Sequence, residues 1–480
     1  MADWFGVFKT FFVFCRHLQQ HHKTIFTLMK NLLLFSMAFA LFSCNDTPKQ
    51  EMKPIHLVTL DPGHFHAALV QKSMYDSVDA TVHVYAPEGD DLKQHLARID
   101  SYNKRADKPT AWNEVTYIGN DFFDKMIAEK KGNIVVLSGN NRLKTDYILK
   151  SLQNGFNVLA DKPMVINQKG FEELKQAFDV AAKNKKLLYD IMTERSEITT
   201  VLQRELSMTP SVFGTLEKGS LSNPAITKES IHHFYKFVSG NVLTRPSWFM
   251  DVEQQGEGIV DVMTHLVDLV QWASFPNQTL DYTKDIQINT AKRWATDMTL
   301  SQFKTITKTG GFPNYLKKAV VKDSILQVYC NGEINYTLRG IHAKTSVIWN
   351  FKAPDGTGDT HQSLMRGTKA TLAIRQGAAE QYQPTLYIEP NRNNADFAIA
   401  LKEAFIVLQQ KYPDVAVEAA GKNWKVVIPE KYKDGHEAHF ARATDRFVEY
   451  LLKGTLPEWE VPNMLAKYYT TTKGYEMSRK

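Results

Sequence analysis

Cysteine is scarce in this 480-residue chain: Cys15, Cys44 and Cys330 are too few for a disulfide framework, so the fold must rest on a packed core. Long apolar runs are missing too. The run Leu32–Phe42 is about half of the roughly 20 residues that a membrane-spanning helix needs, which excludes a multi-span membrane protein. No dense basic run exists either; 58 Lys and Arg against 52 Asp and Glu leave +6 without a cluster, which argues against a nucleic-acid footprint. The absence of internal repeats and low-complexity tracts excludes collagen, coiled coil and disorder. What remains, 43% hydrophobic and 23% charged, is a globular composition with length for two or three domains.

The N-terminus has a pattern of its own. Met29-Lys30-Asn31 precedes the apolar run, then Ser43-Cys44 and the polar stretch from Asn45 to Glu51, as in an export signal. Leu41-Phe42-Ser43-Cys44 resembles a bacterial lipobox, in which the cysteine is lipidated and opens the mature chain; the alternative is a buried helix or a retained anchor. The apolar segment before Met29 precedes a complete signal, so Met29 is the expected start, residues 1–43 the signal segment, 44–54 a linker and Cys330 the lone free thiol. The expected location is outside the cytoplasm, lipid-anchored to a bacterial membrane on its periplasmic or outer face.

From Ile55 short apolar runs alternate with helical patterns, the signature of βαβ units and a parallel sheet. Strands are expected at Ile55–Leu60, Ala80–Tyr85, Val115–Ile118, Asn133–Leu137, Asn157–Ala160 and Lys186–Ile191, with helices at His64–Met74, Asp90–Lys104, Asp121–Lys130, Leu143–Asn154 and Gln168–Asn184. That predicts a Rossmann-like domain over 55–192. Over 193–480 the pattern predicts a second α/β domain with a large, mostly antiparallel open sheet. There a helix is expected at Val260–Trp272, strands at Ile286–Thr290, Ser324–Cys330, Ile334–Ile341, Ser346–Phe351 and Ala370–Ile374, a turn at Asn331-Gly332, and helices at Ala395–Gln410 and His436–Lys453. Residues near 376–424 read as an insertion.

Three places can carry chemistry. Asp61-Pro62-Gly63-His64-Phe65-His66 lies between the first strand and helix, where G-x-G-x-x-G would bring backbone to a pyrophosphate; here only the middle glycine, Gly63, is present. Alone the segment reads as a helix-initiating turn. A metal site of Asp61, His64 and His66 lacks a matching downstream cluster, so no metal is expected. Asp161-Lys162-Pro163 places Lys162 past the end of a parallel strand, extended by the following proline and able to donate to a developing oxyanion. Asp261, His265 and Asp268 share one helical stripe, which reads either as the wet side of a helix or as a histidine base with a carboxylate one turn away. His436-Glu437-Ala438-His439 is not H-E-x-x-H, and its histidines are expected on a helix surface or against the core.

Asn133-Ile-Val-Val-Leu-Ser-Gly-Asn-Asn141 and the stretch Ile148 to Met164, ending in Asp161-Lys162-Pro163, resemble the Gfo/Idh/MocA family of nicotinamide-dependent sugar and polyol dehydrogenases, with Asp for Glu in its Glu-Lys-Pro motif. Gly256-Glu257-Gly258 followed by Asp261-x-x-x-His265-x-x-Asp268 resembles its second motif, and Arg366 to Leu372 its Gly-Thr-Lys-Gly-Thr strand. The resemblance spans about Ile55–Ile374 and implies a Rossmann domain followed by an open-sheet α/β domain facing the nicotinamide. It implies Lys162, Asp261 and His265 as the catalytic group, with Asp261 orienting His265. Gly63, His64, Phe65, Glu88, Asn141 and Lys162 would meet NAD or NADP, with Glu88 or Asp90 at the adenosine ribose favouring NAD. Lys144, standing where the family has a loop histidine, and Asp268 would meet substrate.

The reaction expected from the resemblance is oxidation of a secondary alcohol on a sugar, cyclitol or glycoside. Free cofactor is scarce outside the cytoplasm, so a tightly held NAD(P) is expected, as in the family's exported glucose–fructose oxidoreductase. Two alternatives stand beside it: a cofactor-dependent glycosidase acting by transient oxidation and elimination, and a non-catalytic carbohydrate-binding lipoprotein on a decayed Rossmann scaffold. The expected partners are a small carbohydrate, a membrane met only through the lipid, no nucleic acid, and a further copy of the chain through the open sheet.

Overall fold

The computed structural model describes residues 55–238, 241–355 and 357–480. The signal segment, the linker and Cys44 lie outside the described residues. Runs such as Leu57–Leu60 and Ile134–Leu137 are buried at every position, as strands of a parallel sheet covered on both faces must be. Six strands, β1 (Leu57–Leu60), β2 (Thr81–Ala86), β3 (Asn113–Ile118), β4 (Ile134–Leu137), β5 (Asn157–Asp161) and β6 (Leu188–Ile191), form one sheet in the order β3-β2-β1-β4-β5-β6, in which the edge strand β3 is partly exposed. Every pairing in it is parallel. The order reverses between β1 and β4, so a ligand crevice opens at the C-terminal ends of these strands.

Helices α1 (His66–Val70), α2 (Asp90–Lys104), α3 (Phe122–Glu129), α4 (Lys144–Gln153) and α5 (Gln168–Asn184) connect the strands. Helix α1 is shorter than the expected His64–Met74, because side chains take the carbonyls that would extend it. Tyr75 Oη donates to the Val70 carbonyl at 2.8 Å, Trp112 Nε1 to that of Gln71 at 2.6 Å, and Arg105 Nη2 to that of Lys72 at 2.7 Å.

The second sheet contains β7 (Ile226–Tyr235), β8 (Ile286–Thr299), β9 (Ile325–Leu338), β10 (Ile341–Lys352), β11 (Thr360–Arg366), β12 (Ala370–Arg375), β13 (Thr385–Pro390), β14 (Ala416–Ala420) and β15 (Asn423–Val427). Their order is β8-β9-β10-β7-β11-β12-β13-β15-β14, with the short strand Val320–Val321 paired to β9. Only β10 and β7 run parallel among these pairs. Helices α6 (Ile198–Ser207) and α7 (Met263–Ser274) pack against this sheet, and the last helices are α8 (Ala395–Lys411), α9 (His436–Lys453) and α10 (Glu460–Ser478). The segment expected as an insertion supplies α8, β13 and the edge strand β14, and leads into β15.

Two expectations are corrected here. Asn331-Gly332 is not a turn but the middle of the single strand β9, because another segment presses on the sheet at that point. A Cβ on Gly332 would lie 2.8 Å from Ile259 Cβ, and one on Gly258 would lie 1.7 Å from the Cys330 carbonyl oxygen, so both positions require glycine. Asn331 meanwhile bridges neighbouring strands, donating to the Trp294 carbonyl at 3.1 Å and accepting from Trp349 N–H at 2.7 Å. Helix α7 starts at Met263 rather than Val260, since Gly258–Val262 form turns, which leaves Asp261 just outside it.

Candidate active site

Three segments meet at the sheet reversal: the loop after β1, the Asp161-Lys162-Pro163 end of β5, and residues 254–268. The Lys162-Pro163 peptide is cis. Lys162 Nζ donates to Asp261 Oδ1 at 2.6 Å, both side chains under one-tenth exposed. Gln255 Nε2 donates to Asp261 Oδ2 at 2.9 Å. Asp261 therefore fixes the Lys162 ammonium, which corrects the expectation that it orients His265. Breaking such a buried pair from one side costs about 3–5 kcal/mol. Asn141 contributes from behind: its backbone N–H reaches the Gln254 carbonyl at 3.0 Å and its Nδ2 the Gln255 carbonyl at 2.7 Å. It holds the Gln255 segment in place, and its amide N–H is not free for a cofactor.

His265, in the first turn of α7, lines a cavity of about 1530 Å³ together with Lys162, Asp261, His64, Phe65, His66, Glu194 and His436. Burial pushes the His265 imidazole down to about 4, and the Lys162 charge pushes the same way. It is therefore a neutral base at pH 7, and its buried Nδ1 has no hydrogen-bond partner. Burial also lowers His436 to about 4 and His66 to about 3, while His64 lies well below its ordinary value for the same reason. Burial would raise Glu194, but His265 and His436 hold it at about 2. The His436 ring lies between two of these groups, with Nε2 3.4 Å from His66 Nε2 and Nδ1 3.7 Å from Glu194 Oε1.

On the other side of the cluster, Asp161 Oδ2 lies 2.9 Å from His66 Nδ1, 3.6 Å from His64 Nδ1 and 3.1 Å from the Ser138 hydroxyl. Burial would raise the Asp161 carboxyl, yet these imidazoles and Lys144 hold it well below the usual range. The third metal-type donor beside His64 and His66 is thus Asp161, not Asp61. Asp61 instead turns the loop after β1 in the left-handed region at φ 46°, and burial pushes its carboxyl up to about 6.

Whether a dinucleotide fits depends on Gly63. The loops after β1 and β4 touch: a Cβ on Gly139 would lie 2.2 Å from the Asp61 carbonyl oxygen, and His64 N–H donates to the Ser138 carbonyl at 3.1 Å. A Cβ on Gly63 would meet Trp248 Cζ2 at 3.0 Å and Asp91 Oδ2 at 3.1 Å, and Trp248 Nε1 donates to that same Asp91 oxygen at 2.8 Å. The space left beside the loop is about 20 Å³, room for a water and not for a pyrophosphate. The Lys162 end of the cleft opens into the large cavity, whereas the Gly63 end is closed by Trp248. Arg245 supports the closing segment, its guanidinium 4.5 Å from the Phe249 ring centre and donating to the Phe234 carbonyl at 2.9 Å.

Two expected substrate contacts are corrected. Lys144 is buried at the start of α4 and donates to the Asp161 carbonyl at 3.0 Å, away from the cavity; burial lowers its ammonium to about 8. Asp268 points along the stripe into the interior, where both oxygens accept from Arg195 at 2.7 Å and Oδ1 also from Lys467 at 3.0 Å. Glu88 is exposed after β2, and the neighbour that engages the loop region is Asp91. Sequence reasoning missed Glu194, Trp248 and Arg245. It also discounted His436, whose spacing from His439 is not a zinc motif; its partners lie hundreds of residues away, and only the fold brings them together.

Comparisons with known proteins agree with this architecture. Residues 202–479 match a family model described as "Putative oxidoreductase C terminal domain", and residues 65–190 one described as "Oxidoreductase family, NAD-binding Rossmann fold". A search of curated proteins returned no match. A crystal structure from Parabacteroides merdae ATCC 43184, described as an oxidoreductase, is 53% identical over 89% of this chain and 98% of that one, with TM-score 0.87. Two structures of 14% and 13% identity share the fold. GenD2 from gentamicin A biosynthesis, solved with NAD, has TM-score 0.52 over 89% of this chain and 95% of its own. KijD10, a 3-ketoreductase from Actinomadura kijaniata solved with NADP and TDP-benzene, has TM-score 0.50 over 86% and 95%.

Proposed function

The chain belongs to the Gfo/Idh/MocA family of NAD(P)-dependent oxidoreductases, and from that premise we propose that it interconverts a secondary alcohol and a ketone on a sugar, cyclitol or glycoside. The observation that carries this reading is the Lys162–Asp261 pair, 2.6 Å long, sharing one cavity with the unpartnered base His265. When bound, the cofactor supplies the hydride acceptor. His265, neutral at pH 7, takes the hydroxyl proton. Lys162, held by Asp261, donates to the oxygen on which negative charge develops. Phe249, Trp349 and Leu266 give the cavity an apolar wall. The ketoreductase activity of KijD10 on the same fold supports the reaction class.

A second reading is favoured by one specific feature. Net glycoside cleavage through oxidation and elimination needs two proton acceptors on one cavity, and His436 beside Glu194 is a second set facing the same space as His265. We further propose that the chain is exported, lipidated at Cys44, and retains its cofactor between turnovers. The test is turnover on a panel of sugars and glycosides. Lys162→Ala and His265→Ala should each abolish it, a loss of at least ~100-fold, while nucleotide binding persists; a variant that turns over like wild type refutes the assignment.

A further inference from the structure

The loop after β1 and the end of β5 both depart from the family pattern: His66 stands at one of the two outer glycine places of the loop, the other being Asp61, and Asp161 replaces glutamate before Lys162. His66 and Asp161 touch, His66 Nδ1 lying 2.9 Å from Asp161 Oδ2. His64 adds a third donor. Its Nδ1 accepts from His66 N–H at 3.4 Å and so presents a lone pair, yet that same atom faces the Asp161 carboxylate at 3.6 Å. Two acceptors therefore confront one another with no proton between them, and the other carboxylate oxygen, Oδ1, is buried with no partner although Asp161 is only 3% exposed. A cation at this point would remove that repulsion.

We propose that His64 Nδ1, His66 Nδ1 and Asp161 Oδ2 bind one divalent first-row transition-metal ion. The three donor atoms lie within 4.8 Å of one another. Ligands at the usual 2.0–2.2 Å stand about 3.0 Å apart in an octahedron and about 3.4 Å apart in a tetrahedron, each within about 0.2 Å of the 2.9 and 3.6 Å found here. Two imidazoles and one carboxylate suit zinc or iron with coordination positions left open. The two histidines line the cavity, so those positions face it and would take water or a substrate hydroxyl. An outer shell is present as well: Ser138 Oγ donates to Asp161 Oδ2 at 3.1 Å and Lys144 to the Asp161 carbonyl at 3.0 Å. The site shares the cavity with the redox group, but its ligands do not include Lys162, Asp261 or His265.

The test uses the full chain, freed of metal by chelator and titrated with Co²⁺ while visible absorption is recorded. The expected result is d–d bands saturating at one equivalent and displaced by Zn²⁺. His66→Gln and Asp161→Asn should each weaken binding by more than the roughly 10–100-fold that outer-shell losses cause, whereas His56→Gln, at an exposed histidine, should leave it unchanged. Should a variant fail to fold, diethyl pyrocarbonate mapping of wild type decides: Zn²⁺ must protect His64. No band at one equivalent, or no protection of His64, leaves a hydrogen-bonded His66–Asp161 pair and overturns the proposal. Retention of the bands in both folded variants overturns it equally.

Discussion

His265 is the residue on which the chemistry turns, and its protonation state is set by its surroundings. Its imidazole lies at about 4 because burial and Lys162 disfavour the cation. A base acts only when unprotonated, so the acid limb of kcat/KM should fall near pH 4 rather than near the ordinary 6.5, with no loss between pH 7 and 6; a pH–rate profile with a limb at 6.5 would contradict the environment described. Cys330 makes the complementary case. Its thiol is buried, donates to the Val328 carbonyl at 3.2 Å and is pushed up to about 12 by burial. Iodoacetamide at pH 8 should leave it unmodified in the native protein and alkylate it fully in denaturant, as mass spectrometry would show. Single residues were legible in the sequence where a motif carried them, as with Lys162, His265 and Asp261. Their mutual roles were not: periodicity placed Asp261, His265 and Asp268 on one stripe, but which neighbour each meets depends on residues far along the chain, Lys162, Arg195 and Lys467.

At the level of elements, the segment 243–250 and helix α10 carry the consequences. Trp248 covers Gly63 and is tied to Asp91, so a dinucleotide must displace it. Trp248→Ala should tighten NAD(H) binding measured by calorimetry or fluorescence; unchanged affinity would show that the indole does not obstruct the cofactor, and weaker affinity that it helps to hold it. Helix α10 escaped sequence analysis because polar residues interrupt its buried face: Glu460, Asn463, Lys467 and Thr470 to Thr472 lie inside beside Met464, Ala466 and Tyr468, so no clean apolar stripe marks it. Lys467 reaches Asp190 at 2.6 Å and Asp268 at 3.0 Å, while Arg195 joins Asp268 to Glu460 at 3.0 Å. Asp268→Asn takes away the carboxylate shared by Arg195 and Lys467, leaving each cation one other partner, Glu460 and Asp190. It should cost roughly 1.5–3 kcal/mol in denaturant unfolding, the worth of a hydrogen bond to a charged group, without changing cofactor affinity, which separates structural support from a substrate contact. The Rossmann strands, by contrast, were legible to within about two residues, since apolar runs such as Leu57–Leu60 and Ile134–Leu137 admit few alternatives. The Asn331-Gly332 turn was misread because glycine there answers a close approach from Ile259, a tertiary fact that no local pattern encodes.

For the molecule as a whole, the fold class, the two-sheet architecture and the family all follow from motifs in chain order. The cavity where the two sheets' elements meet unites Lys162, His265, His66 and His436 from segments separated by up to 370 residues in sequence. No described helix is long and apolar enough to cross a membrane. If Cys44 is the lipid anchor, the native product should carry a diacylglyceryl-modified N-terminal cysteine by mass spectrometry, and peptides from Ala2 to Lys23 should be missing from it. The central claim, that this scaffold works with a nicotinamide cofactor at Lys162, is tested most directly by acid-denaturing the purified protein, identifying released nucleotide by mass spectrometry, and titrating the cofactor-free chain with NADH and NADPH. The account predicts stoichiometric nucleotide in the supernatant or saturable binding at one site per chain. Neither release nor binding, in wild type and in Trp248→Ala alike, would contradict it.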